Sequence, residues 1–379
     1  MNQCAKPATP ACLACFLLLT VTGCITTPAA TPDRTAPRPS PAALADGFGV
    51  SDDGQTLTFP DTITLTNGSA RLGVSPTAGR AVVFGTIDGP NLLWHAPPKE
   101  LANWRQPRTD HPRKPYANLG GDKVWLLPQG RWPIAYGGQG AWPPDGVIDG
   151  QPWTRLNAPP NSITIQSPIC PATGIQLTRT FTLNRSQPIA VTTTTATKRQ
   201  PSSLPINIWT VTQIINPDHT LLHRTANSPP PINTAGWVDL VAGRPMDNRV
   251  TPVSANTLRF QLPAHDASDP NKPPRGGKIG TLGRWVAAVY PDLPQTPRYF
   301  VQTITVDPDA MYLDASNLQV YHENRYTELE TLSPGVHLQP GESLQHTVVW
   351  QLTDQLPTVI PATTTSPTTA PATAPATQP

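Results

Sequence analysis

The stretch TITLTNGSARLGV, Thr62 to Val74, sets the reading of the whole chain. Ile63 and Leu65 alternate with threonine, Asn67-Gly68 follows, and Ala70, Leu72 and Val74 resume the alternation. An apolar residue at every second position gathers the apolar set on one face of an extended strand. Asn-Gly supplies the positive-φ pair that a two-residue hairpin accepts, so the stretch predicts an antiparallel hairpin with Asn67-Gly68 at its centre. Alternating or β-branched runs recur in AVVFGTI (81–87), SITIQ (162–166), GIQLTRTFTL (174–183), IAVTTTTATK (189–198) and INIWTVTQII (206–215). They continue in TLRFQL (257–262), RWVAAVY (284–290), YFVQTITV (299–306), LQVYHE (318–323), YTELETL (326–332) and SLQHTVVWQL (343–352). Gly, Pro, Asn and Asp separate them, and no helical period is sustained anywhere. Many short strands without intervening helices predict an all-β fold, a sandwich or barrel of antiparallel sheets. In FTLNRSQPIAVTTTTATK (181–198) the threonines are expected on the wet face and the aliphatics inside.

The chain has 379 residues, 49 of them proline, and only 14% are charged. Much of the proline lies in Thr26–Pro41 and Pro361–Pro379, Pro/Ala/Thr tracts with too few apolar residues to offset the entropy of ordering. Both read as disordered spacers. The expected organisation is a targeting segment over 1–23, a linker over 24–46, one domain over 47–356 and a tail over 357–379. A net charge of +2 gives no nucleic-acid footprint.

Lys6 precedes the apolar run ACLACFLLLTV (11–21), which is too short for a permanent membrane helix. The run ends in Val21-Thr22-Gly23-Cys24, which resembles the bacterial lipoprotein cleavage box. That resemblance implies acyl chains on Cys24, anchoring a monomer in the cell envelope on the periplasmic face. Ile25, where aspartate would signal inner-membrane retention in some bacteria, points to the outer membrane. Cys4, Cys12 and Cys15 would leave with the signal, so Cys170 is the domain's one cysteine and is expected to be buried and inert.

Six of the ten tryptophans, Trp94, Trp104, Trp125, Trp132, Trp142 and Trp153, fall within 91–153. There the run NLGGDKVWLLPQGRWPIAYGGQGAWPPDG (118–146) reads as a rigid aromatic loop on a β scaffold. Buried indoles stapling loops to the core are the alternative for each ring, with at least one ring of the cluster expected to be exposed.

Several pieces, in order, resemble the galactose mutarotase-like superfamily and, within it, the family DUF4380. They are Gly79–Trp94, Asn118–Trp125 with Leu127-Pro128-Gln129, Trp142–Gly146, Ser167–Leu183, Trp209–Gln213 and Tyr326–Leu344. The resemblance implies a β-supersandwich, two large antiparallel sheets face to face, whose concave side binds a saccharide. Indoles can stack on the C–H faces of a sugar, while Asp122, Lys123 and Gln129 supply polar contacts beside Trp125, Trp142 and Trp209.

Mutarotases use a carboxylate base and two histidines. Glu330, in Leu329-Glu330-Thr331, matches the carboxylate, and Glu328, two residues earlier on the same strand face, competes with it. The histidine positions carry Asp145-Gly146 and Trp209-Thr210-Val211-Thr212 instead. None of the eight histidines falls in a matching motif, and His322 reads as a strand end. Two readings follow: a carbohydrate-binding domain, or an epimerase pairing Asp145 with Glu330 as acid and base. A third is a structural envelope protein with a degenerate cleft. No cofactor or metal is expected, because neither calcium-loop nor Cys/His spacing is present. The basic stretch 105–114 reads as a solvated loop.

Overall fold

The computed structural model describes residues 49–50, 56–57, 59, 61–97, 117–127, 129–135, 144–225, 237–240, 248–262 and 276–357. Cys24 and its signal, the linker and the tail, Trp104, Trp142 and the basic stretch 105–114 lie outside the described residues.

In chain order the strands are β1 (Gly49–Val50), β2 (Thr56–Leu57), β3 (Ile63–Thr66), β4 (Ala70–Ser75), β5 (Arg80–Thr86), β6 (Asp122–Leu126) and β7 (Thr154–Leu156). Then come β8 (Ser162–Ile169), β9 (Ile175–Leu183), β10 (Ile189–Lys198), β11 (Ile208–Ile214), β12 (His219–His223), β13 (Val238–Asp239) and β14 (Val250–Ser254). The last are β15 (Thr257–Gln261), β16 (Gly277–Thr281), β17 (Trp285–Val289), β18 (Tyr299–Ile304), β19 (Leu318–His322), β20 (Thr327–Leu332) and β21 (Ser343–Thr353). A nine-stranded sheet has the order β13-β16-β19-β20-β11-β6-β5-β4-β3, and a ten-stranded sheet the order β14-β15-β12-β17-β18-β21-β10-β9-β8-β7. β1 and β2 form a separate ribbon. The fold is all-β, with the two large antiparallel sheets expected from the sequence.

The sheets pack face to face through aromatic and polar contacts. Phe84 of β5 meets Phe300 of β18 and Trp350 of β21, with ring centroids 5.4 and 5.3 Å away. On the outer sheet, β9 and β10 alternate strictly between buried and half-exposed residues. β6, β11 and β20 of the other sheet are buried at every position. The centre of the nine-stranded sheet is thus covered on both sides, and its second side carries the candidate site.

Three local expectations need correction. The first hairpin turns on Gly68-Ser69, because Asn67 N donates to Ala70 O at 3.3 Å and Gly68 alone of the pair has positive φ, 83°. Glycine at the first central position is the II′ arrangement, and Asn67 Oδ1 accepts from the amides of Ser69 and Ala70 at 2.9 and 2.8 Å. Secondly, the aromatic run after Asn118 is not all loop: Asp122–Leu126 is a central strand, followed by a 3-10 turn (Gln129–Arg131) and a short helix (Trp132–Ala135). A strand buried on both faces shows no alternation and is hidden among glycines and prolines. Trp94, Trp125, Trp132 and Trp153 are all buried, so the expected exposed ring is not among the described ones. Thirdly, the β10 threonines divide: Thr193 and Thr195 lie outward, whereas Thr192 and Thr194 face the interior.

Thr194 faces inward because a buried arginine needs acceptors there. Arg179 of β9 donates to Thr194 Oγ1 at 3.2 Å, Asp122 O at 2.9 Å and Asp122 Oδ2 at 2.5 Å. Asp122 Oδ1 accepts from Thr212 Oγ1 at 2.7 Å. Both partners are essentially inaccessible to water. Removing one member leaves an uncompensated buried charge, so Asp122→Ala should cost about 3–5 kcal/mol. The expected readout is a lower denaturant midpoint with an unchanged m-value.

Candidate functional site

Strand alternation places the site. Thr327, Leu329 and Thr331 of β20 face the other sheet, where Thr331 Oγ1 lies 2.7 Å from His346 Nε2. Glu328 and Glu330 therefore face the opposite side. Antiparallel register aligns three rows there: Gln319, Glu330, Val211 and Lys123; Tyr321, Glu328 and Gln213; and Leu332, Trp209 and Trp125.

Glu330 is the centre. Trp209 Nε1 donates to its Oε2 at 2.5 Å, and Lys278 Nζ of β16 donates to the same oxygen at 2.7 Å. The Lys278 ammonium also lies 4.4 Å from the centroid of the Trp209 ring. Burial raises the Glu330 carboxyl to about 7, opposed by Lys278 and reinforced by Glu328. Among the described residues, Glu330 Oε1 has no hydrogen-bond partner.

Two glutamines on the same face repeat that pattern. Gln213 Nε2 donates to Glu328 Oε1 at 2.8 Å, and Gln319 Nε2 donates to Ser316 Oγ at 2.9 Å. The Oε1 atoms of both are buried without a partner. An unsatisfied buried acceptor costs about 1–3 kcal/mol, and these three lie on the neighbouring strands β19, β20 and β11.

Lys123 enters from β6. Gly120 and Gly121 lead into that strand with φ of 86° and 70°, where a Cβ would stand 2.0 Å from Trp94 O and 2.3 Å from Ala81 O. No side chain fits either place. Lys123 Nζ lies 3.4 Å from Asn118 Oδ1 and 4.5 Å from the Trp125 ring centroid. Burial lowers its pKa, and Glu328 and Asp149 oppose the shift. Trp125 meets Trp132 and Trp209 nearly edge-on, at 5.3 and 5.0 Å. Trp132 is held by Nε1 donation to Leu126 O and Leu127 O at 3.1 and 3.2 Å. Leu127 takes φ of 68° there, a left-handed conformation costing about 1–2 kcal/mol. The indoles close one end of the face, and Glu330, Gln319, Gln213, Lys123 and Trp209 are each at most 2% exposed.

Glu330, Glu328, Lys123, Trp125 and Trp209 are therefore brought together. Asp122 is not: as Lys123's neighbour it points to the other side, into the Arg179 pair. Gln129 is exposed in the 3-10 turn. Asp145 is occupied locally, with Oδ1 accepting from the amides of Val147 and Ile148 at 2.6 and 2.8 Å and Oδ2 from Cys170 Sγ at 3.0 Å. No contact among the described residues joins Asp145 to Glu330. Cys170 is buried, and burial, then Asp145, pushes its thiol up to about 12. His322 ends β19, packed 4.6 Å from Phe260, and burial lowers it to about 3.

Lys278, Gln213 and Gln319 escaped the sequence reading. Gln213 lies four residues after Trp209 in the quoted WTVTQ motif, so the strand period already placed it on the same face. Lys278, in the short Gly-rich β16, carries no such signal. Among the described residues no group of three or more His, Cys, Asp and Glu could hold a metal.

Trp209→Phe keeps the ring but removes the donor to Glu330 Oε2. The ionised carboxylate loses a hydrogen bond, so the Glu330 midpoint should rise above about 7. The carboxyl carbon shift of ¹³C-labelled glutamate, followed through a pH titration, reports it.

Comparison with solved structures finds similarity to several known structures. A galactose mutarotase-like protein from Lactobacillus casei aligns at TM-score 0.49 and 12% identity, over 77% of this chain and 99% of its own. A galactose mutarotase related enzyme from Lactobacillus acidophilus aligns at 0.47 and 10%, over 78% and 99%. A Synechocystis protein aligns at 0.49 and 12%, over 79% and 97%. These likenesses assign no activity to this chain. No curated protein matches it. The family model DUF4380, a domain of unknown function, matches residues 61–269, more than half of the sequence, and the chain belongs to that family.

Proposed function

We propose that this domain binds a carbohydrate at the Glu330 face and that Cys24 tethers it by lipid to the cell envelope. The observation that carries the binding reading is the set of three partnerless acceptors, Glu330 Oε1, Gln213 Oε1 and Gln319 Oε1. A ligand matching them must offer several hydroxyl or amide donors spread across the neighbouring strands β19, β20 and β11. Sugar hydroxyls do so, and the indoles of Trp209 and Trp125 suit the apolar face of a pyranose. The cluster pairs Lys123 and Lys278 with Glu328 and Glu330, so its formal charges cancel and a neutral saccharide fits.

A second reading, proton transfer at an anomeric centre, is favoured by the Glu330 carboxyl at about 7 with one oxygen uncommitted. A base with a pKa near the working pH is effective in such transfers. The structural reading is favoured by the burial of Glu330, Gln319, Gln213, Lys123 and Trp209, each at most 2% exposed.

Saturation-transfer NMR with D-galactose, D-glucose and N-acetyl-D-glucosamine separates these readings. Binding is expected in the wild type and at least about tenfold weaker in Glu330→Gln, the equivalent of about 1.4 kcal/mol. No transfer from any of the three would leave the structural reading standing. For the anchor, Cys24→Ala should move the protein from the membrane fraction to the soluble one, and mass spectrometry of the wild type should show acyl chains at Cys24.

A further inference from the structure

Opening a cyclic sugar at its anomeric carbon needs two groups, one to take the hydroxyl proton and one to give a proton to the ring oxygen. Glu330 can do the first. Asp145, expected to do the second, is held in its own turn by Val147, Ile148 and Cys170. Among the described residues, no histidine contacts Glu330. Among the described residues the ammonium hydrogen-bonded to it is that of Lys278, whose Nζ stands 2.7 Å from Oε2 with a side chain only 14% exposed.

We propose that Lys278 is the proton donor of this site and that Trp209 is the positioning residue that gives the two oxygens of Glu330 different tasks. The proposal rests on the anomeric reading above. Oε2 accepts from Trp209 Nε1 and Lys278 Nζ together, which fixes the plane of the carboxylate and leaves Oε1 uncommitted. The Trp209 ring lies under the same ammonium, so one indole holds both partners. The charged groups around the pair are Glu328 on β20 and Lys123 on β6.

The step balances within the pair. Glu330 Oε1 takes the proton of the anomeric hydroxyl as C1=O forms, the bond from C1 to the ring oxygen breaks, and that oxygen takes a proton from the Lys278 ammonium. Carboxylic acid and amine are then both neutral. After the open-chain aldehyde rotates, ring closure on its other face reverses both transfers and restores both charges. Nothing is oxidised or reduced.

The experiment follows anomer exchange of α-D-galactose and α-D-glucose by polarimetry in wild type, Lys278→Met and Lys278→Arg, alongside the ¹³C titration of Glu330. Lys278→Met should lower kcat by about 10²–10⁴-fold with KM little changed, and should raise the Glu330 midpoint. Lys278→Arg keeps the charge and the bond to Oε2 but does not release a proton near neutrality. It should restore the Glu330 midpoint and not the rate, a split that a purely structural lysine would not give. Wild-type exchange in Lys278→Met, or full rescue by arginine, would overturn the role of Lys278 and leave the anomeric reading intact. Wild-type exchange no faster than buffer would end both, while saturation transfer would still report binding separately.

Discussion

Two neighbouring residues of one central strand carry opposite duties, and that constraint organises the molecule. Asp122 turns toward the second sheet and holds Arg179; Lys123 turns away and joins the Glu330 face. Successive side chains of a strand cannot share a face, so the pair that ties the sheets together and the groups that form the site are set by a single register. A slip of one residue in β6 would put a lysine against Arg179 and an aspartate beside Glu330. Gly120 and Gly121 defend that register, because the backbone reaches β6 by a path too narrow for a side chain.

Burial on both faces gives this sheet its chemistry. In water Glu330 would be an ordinary carboxylate, but enclosed among strands it is raised to about 7, with Lys278 limiting the rise. The same burial makes partnerless acceptors costly, so Gln213, Gln319 and Glu330 keep a tension that donors would relieve. Buried histidines respond in the opposite sense. His95 and His346 fall to about 4 and His322 to about 3, mainly through burial, so all three are neutral in the folded protein at neutral pH. An imidazole in such a place is a poor source of protons.

The Glu330 pair also differs from the Asp122 pair in its surroundings. Asp122 has both oxygens engaged, by Arg179 and Thr212, and reads as a tie between sheets. Glu330 has one oxygen doubly engaged and one unengaged. Two equally buried carboxylates thus differ in engagement: Asp122 has both oxygens bonded, and Glu330 has one.

From the sequence alone came the all-β class, the antiparallel pairing and most of the strands, because alternation and turn residues are local properties that survive without a partner. The Glu328/Glu330 pair and Trp209 were legible for the same reason, each lying in a strand with a clear period. Strand β6 was hidden, since a strand covered on both sides loses its alternation and its flanking glycines resemble a loop. Only the tertiary structure decided that Asp122 faces inward, that Asp145 closes its own turn, and that Lys278 meets Glu330 across 52 residues of chain. Those outcomes depend on which strands become neighbours, a long-range pairing that no local pattern of residues encodes.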